Sequence, residues 1–165
     1  MNVSQVVFII LGLVTLAGAA GVVLSRKLFH SALYLVLSFV GVAGLYVLLE
    51  AEFLAMIQLL VYVGAISILI IFAVMLSRNM MSPEYKARNN DWGLGVFVAG
   101  GLLAVLIMIL LRVRWPVAES TVSPDTIGAL GKALTSPAHF ALPFEVASIL
   151  LLVALVGAVI IAREK

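Results

Sequence analysis

Five apolar runs, each long enough to cross a lipid bilayer as a helix, constrain this chain more than any other feature of its sequence. They extend over residues 3–24, 29–49, 53–76, 92–111 and 142–162. A helix needs about 20 apolar residues to span a hydrocarbon core of about 30 Å. Within 165 residues, five such runs leave room only for their connections. The composition agrees, since 64% of the residues are hydrophobic and 11% are charged, against about a quarter charged in ordinary soluble domains. The sequence therefore predicts an all-α integral membrane protein, a single five-span transmembrane domain over residues 1–165 with no water-soluble domain.

The connections set the topology. No Lys or Arg precedes the first run, whereas a cleavable signal peptide carries a basic region first. The sequence thus predicts a retained span, despite the small residues Ala17, Gly18, Ala19 and Ala20. Arg26 and Lys27 separate the first two runs, and Glu50-Ala51-Glu52 is all that separates the second from the third. So short a turn requires a tight antiparallel hairpin, because lipid tolerates no unpaired backbone. Residues 77–91, with Arg78, Pro83, Glu84, Lys86 and Arg88, read as a solvated loop. A longer polar connection covers residues 112–140 and holds Pro116, Pro124 and Pro137. Within it, Asp125–Leu134 is predicted as a short surface helix, with Ser123 or Asp125 as cap and Pro124 in its first turn.

With five spans, Arg26, Lys27, Arg78, Lys86, Arg88, Arg163 and Lys165 fall on one side of the membrane and Arg112, Arg114 and Lys132 on the other. The excess of basic residues marks the cytoplasmic side. The expectation is a multi-pass protein of a bacterial plasma (inner) membrane, N-terminus outside and C-terminus cytoplasmic. The net charge of +2 records this topology rather than a nucleic-acid partner. A chain without cysteine and with two histidines supplies no disulfide, iron–sulfur or thiolate metal site. His30 and His139 fall at opposite faces and cannot jointly ligate a haem.

Polar side chains inside spans are costly and ask for a reason. Gln58 and Tyr62 lie one turn apart in the third run, with the tyrosine about 13 Å beyond Phe53 and so near the middle of the bilayer. The plainer reading is a phenol bonded to a neighbouring helix; the sharper one is a proton or water path. Gly64 and Ser67 allow close helix approach, and a mid-helix glycine is also where a π-bulge is least costly. Gly41 with Gly44, and Ala154 with Ala158, read as packing faces. Glu52 opens the third span, and Glu145 lies just inside the fifth among Pro143, Phe144, Val146 and Ala147, with Ser148 one turn deeper. Such a carboxyl is either a proton-handling group or a helix N-terminal acid held by the macrodipole. Glu50 reads as a cap of the turn.

Two segments carry a resemblance. AEFLAMIQLLVYVGAISILIIFAVML, from Ala51, and LPFEVASILLLVALVGAVIIAR, Leu142–Arg163, closely resemble subunit J (mitochondrial subunit 6) of proton-pumping NADH:quinone oxidoreductase, respiratory complex I. The core VYVGA, Val61–Ala65, and FEVASILLLVALVGA, Phe144–Ala158, are the specific motifs. IGALGKAL, Ile127–Leu134, is similar to that family's connection before its last helix; the other spans match only in hydrophobic plan.

The resemblance implies a non-catalytic membrane-arm subunit between the quinone-site subunit and the antiporter-like subunits, beside a small adjacent subunit. NAD, FMN, iron–sulfur clusters and quinone are expected in partner subunits and no cofactor in this chain. It further implies a π-bulge on Tyr62-Val63-Gly64 whose conversion to plain α-helix rotates side chains and makes or breaks a water chain. Tyr62, Val63, Gly64, Gln58, Glu52 and Glu145 are the candidate residues for that switch or proton path. Some relatives carry a glutamate where this chain has Gln58, and a neutral amide can still hold a water chain. The same helices also suit a cation/proton antiporter, a membrane-bound hydrogenase, or a purely structural scaffold subunit.

Overall fold

A computed structural model describes residues 2–77, 92–113 and 125–163. The loop expected over 77–91, all but its first residue, and the Ser123, Pro124 and 114–124 part of the outer connection lie outside the described residues. Among the described residues six helices form: α1 Val3–Leu24, α2 Leu28–Leu48, α3 Glu52–Leu76, α4 Trp92–Arg112, α5 Thr126–Thr135 and α6 Ala141–Ala162. All but α5 are long and apolar enough to span a membrane, and there is no strand among the described residues. The protein is a multi-pass all-α membrane protein.

One compact unit comprises α1 to α4 and a second comprises α5 and α6. In the first, α1 and α2 form an antiparallel pair held by small residues rather than by interdigitating large ones, as lipid-embedded helices require. Gly18 lies so close to α2 that a Cβ there would stand 2.8 Å from the backbone nitrogen of Ser38. At Gly41 a Cβ would meet Thr15, including its backbone nitrogen at 3.1 Å. Between these contacts the Ser38 hydroxyl donates to the Thr15 carbonyl at 3.1 Å. The packing read for Gly41 and Gly44 is thus present, the latter against Leu11.

The turn from α2 to α3 is built by the backbone. Glu50 adopts a left-handed conformation, φ 57°. The Glu50 N–H donates to the Val47 carbonyl at 3.0 Å and the Ala51 N–H to the Tyr46 carbonyl at 2.9 Å. These paired bonds close the helix as a Schellman motif, with a glutamate where glycine is usual. Glu50 is therefore the residue that reverses the chain, and α3 returns along α2.

α4 buries none of its residues, and it is apolar around its whole circumference, as suits a span surrounded by lipid or by other chains. In the second unit, Asp125 caps α5 by accepting from the Gly128 N–H at 2.9 Å. The Phe140 N–H donates to the Ala133 carbonyl at 3.0 Å, which ties the end of α5 to the start of α6. Ala154 and Ala158, read as a packing face, are exposed within this unit.

Candidate functional site

Within α3, residues Gln58–Ile66 are wound as a π-helix between α-helical Glu52–Ile57 and Ser67–Leu76. In such a segment each N–H reaches back five residues instead of four, which inserts an extra residue into the turn. The segment contains Gln58, Tyr62, Val63 and Gly64, and it begins four residues before the tyrosine at which the resemblance puts it.

Ser67 closes the segment. Its backbone N–H donates to the Tyr62 carbonyl, and its hydroxyl donates to the same oxygen at 2.7 Å. The side chain is 2% exposed. A helical serine ordinarily bonds the carbonyl four residues back; here the bond reaches five, following the π winding. Each such bond contributes about 0.5–1.5 kcal/mol.

Gly64 has a different role from Ser67. No atom of another helix lies within 4 Å of the place a Cβ would take; the nearest neighbour is the Leu59 carbonyl of its own segment, at 3.3 Å. Close helix packing accounts for Ser67 but not for Gly64. The glycine instead gives the widened winding room at a carbonyl that any larger residue would crowd.

Tyr62 sets its ring edge-on to Phe39 of α2, with centroids 5.4 Å apart and planes at 72°. Such pairs contribute about 0.5–1.5 kcal/mol beyond burial. The ring is 42% exposed, and among the described residues its hydroxyl has no hydrogen-bond partner. Gln58 is 7% exposed, on the side of α3 that faces α2. Glu52 is exposed in the first turn of α3.

Glu145 is exposed in the second turn of α6, and Ser148 beside it donates to the Phe144 carbonyl at 3.1 Å. It belongs to the second unit and is described with that unit alone. His30 packs edge-on to Phe29, and His139 is exposed in the turn before α6. The geometry thus gathers Gln58, Tyr62, Val63 and Gly64 in one segment, puts Glu52 at the head of the same helix, and adds Phe39 and Ser67.

Sequence reasoning missed both additions as site residues. Phe39 was accessible from the hairpin, since it lies as many residues before Glu50 as Tyr62 lies after Ala51, and a tight turn pairs positions equally far from it. Ser67 stands five residues beyond Tyr62, a spacing that carries no signal on an ordinary helix.

Over residues 18–161 the chain matches the family described as NADH-ubiquinone/plastoquinone oxidoreductase chain 6. It is 39% identical to NAD(P)H-quinone oxidoreductase chain 6 of Leptolyngbya boryana over 166 aligned positions, covering 99% of this chain and 82% of that one. It is 44% identical to the chloroplastic NAD(P)H-quinone oxidoreductase subunit 6 of Staurastrum punctulatum, over 91% of this chain and 85% of that one. Against the F(420)H(2) dehydrogenase subunit J of Methanosarcina mazei it is 38% identical, over 96% and 90% of the two chains.

Proposed function

Since the chain belongs to the NADH-ubiquinone/plastoquinone oxidoreductase chain 6 family, a membrane-arm subunit of a quinone oxidoreductase with no active site of its own, we propose that it couples quinone reduction to proton translocation by a change of winding in α3. The π segment at Gln58–Ile66, mid-span and closed by Ser67, is the observation that carries this reading. One extra residue in the turn is a discrete defect, so the helix has two arrangements, with and without it. Interconversion turns the downstream half of α3 by about one residue, roughly 100°. Side chains facing α2 and the membrane interior exchange places, as a gate on a water path requires.

Tyr62 and Gln58 supply polar atoms at the level where such a path crosses the bilayer. Glu52 and Glu145, each on the outer side in this topology, are the carboxyls available for proton contacts at that side. The electron carriers and the quinone headgroup sit in partner subunits, in keeping with a chain that has no cysteine to hold a cluster. The partners are the quinone-site subunit, the small adjacent subunit and the antiporter-like subunits. The host membrane is a bacterial plasma membrane, with the N-terminus outside and the C-terminus cytoplasmic.

Replacing Gly64 by Leu in the assembled complex tests the reading. The expected result is continued quinone reduction with a lowered number of protons moved per electron. Unchanged proton movement favours a scaffold role instead.

The likeness to a subunit of F(420)H(2) dehydrogenase favours a second reading of the electron donor, in which the same membrane chain serves a complex fed by a donor other than NADH. Purifying the native complex, identifying the subunits that co-migrate with this chain and assaying quinone reduction with each donor separates the two.

A further inference from the structure

The buried stripe of α3 changes register at the π segment. Before it, Ala55 and Gln58 are buried three residues apart. An unbroken α-helix would continue that stripe through Ile66, Leu69 and Ala73. The stripe found instead is centred one residue later, on buried Ser67 and half-buried Ile70 and Val74; Ile66 is half-buried at its edge, Ala73 is exposed and Leu69 is 67% exposed. α2 packs along α3 before, within and after the π segment, so both halves of the stripe face the same helix.

Removal of the extra residue would therefore bring Ile66 to the place now held by Ser67. That place admits a serine at 2% exposure, and closely packed helices accept small residues where large ones force them apart. We infer that the difference in size between Ser67 and Ile66 selects the winding of α3, with Ser67 as the positioning residue that seats the π register against α2. This inference rests on the switch proposed above and names the residue pair that sets its balance. The hydroxyl bond to Tyr62 is not the selector, because in the plain register the same hydroxyl finds the carbonyl four residues back. What differs between the two states is which side chain lies under α2, and a group shifts an equilibrium only by such a difference.

The test uses the assembled complex carrying Ile66→Ser, Ser67→Leu or Ser67→Ala, imaged by electron cryomicroscopy in the resting state. Ile66→Ser makes the plain register as easy to seat as the π register, and Ser67→Leu makes the π register hard to seat. Both are expected to replace the π winding at 58–66 with plain α-helix in a large share of particles, whereas Ser67→Ala keeps it. Should Ser67→Leu prevent assembly, Ile66→Ser, which removes bulk, carries the test. Retention of the π winding in Ile66→Ser to the same extent as in the unsubstituted complex overturns the inference. Altered winding with unchanged protons per electron would uphold the selector and overturn the coupling role. Lost coupling in Gly64→Leu beside unaltered winding in Ile66→Ser would do the reverse.

Discussion

The Tyr62 carbonyl accepts two hydrogen bonds from one residue, the backbone N–H and the 2.7 Å hydroxyl of Ser67. The two donors meet at the C-terminal end of the π segment, where the ordinary α-helix resumes. Tyr62 is thus joined to Ser67 through its backbone and to Phe39 through its ring, which couples the winding of α3 to its packing on α2.

The Phe39–Tyr62 contact should be measurable as a pair. Phe39→Ala, Tyr62→Ala and the double substitution, followed by thermal denaturation of the complex, are expected to give a coupling energy of about 0.5–1.5 kcal/mol. Additive effects would show that the rings do not interact.

Substitutions at Gly64 should be graded by size. A Cβ there meets only the Leu59 carbonyl, at 3.3 Å, so Gly64→Ala asks for a shift of a few tenths of an ångström and should reduce proton movement less than Gly64→Leu. Proton-to-electron ratios in reconstituted vesicles would check the order. Equal effects of the two would remove the steric explanation.

At Gly18 the obstacle is backbone rather than side chain, with Ser38 nitrogen 2.8 Å from an added Cβ. Backbone cannot rotate out of the way, so Gly18→Ala should separate α1 from α2 at a cost of about 1–3 kcal/mol. Gly12, where nothing lies within 4 Å, is the control. The recovery of intact complex in membranes should fall for Gly18→Ala and hold for Gly12→Ala.

Glu50 sits in the left-handed region, φ 57°, which costs a residue with a Cβ roughly 1–2 kcal/mol. Glu50→Gly should therefore raise the thermal stability of the complex, and Glu50→Val, a β-branched residue, should lower it. A stability ranking with glycine below glutamate would show that the carboxylate has a role beyond the turn.

The spans were legible because lipid imposes a length and a polarity that few sequences meet by chance. Val3–Leu24 is the same in sequence and structure, and the other four spans agree to within a residue or so at each end. The hairpin was legible from the shortness of Glu50-Ala51-Glu52. Its conformation was not, since nothing in a glutamate announces a left-handed backbone. The presence of a π segment rested on Gly64 and on the resemblance of VYVGA. Its extent back to Gln58 did not show, because a backbone hydrogen-bond register leaves no mark in side-chain chemistry. The face of α4 gave no period to read, that helix being apolar all round, and the small pair Ala154 and Ala158 read as a face on α6 is exposed within its unit; neither helix buries a residue. Gly18 passed as one small residue among four, because only the approach of Ser38 distinguishes it.

The most direct test is the winding of residues 58–66 in the assembled complex, determined by electron cryomicroscopy in the resting state and during quinone reduction. The account predicts a π-helix in one state and a plain α-helix in the other, with Ser67, Ile70 and Val74 turned away from α2 in the second. The same winding in both states, with Ser67 seated against α2 throughout, would contradict it.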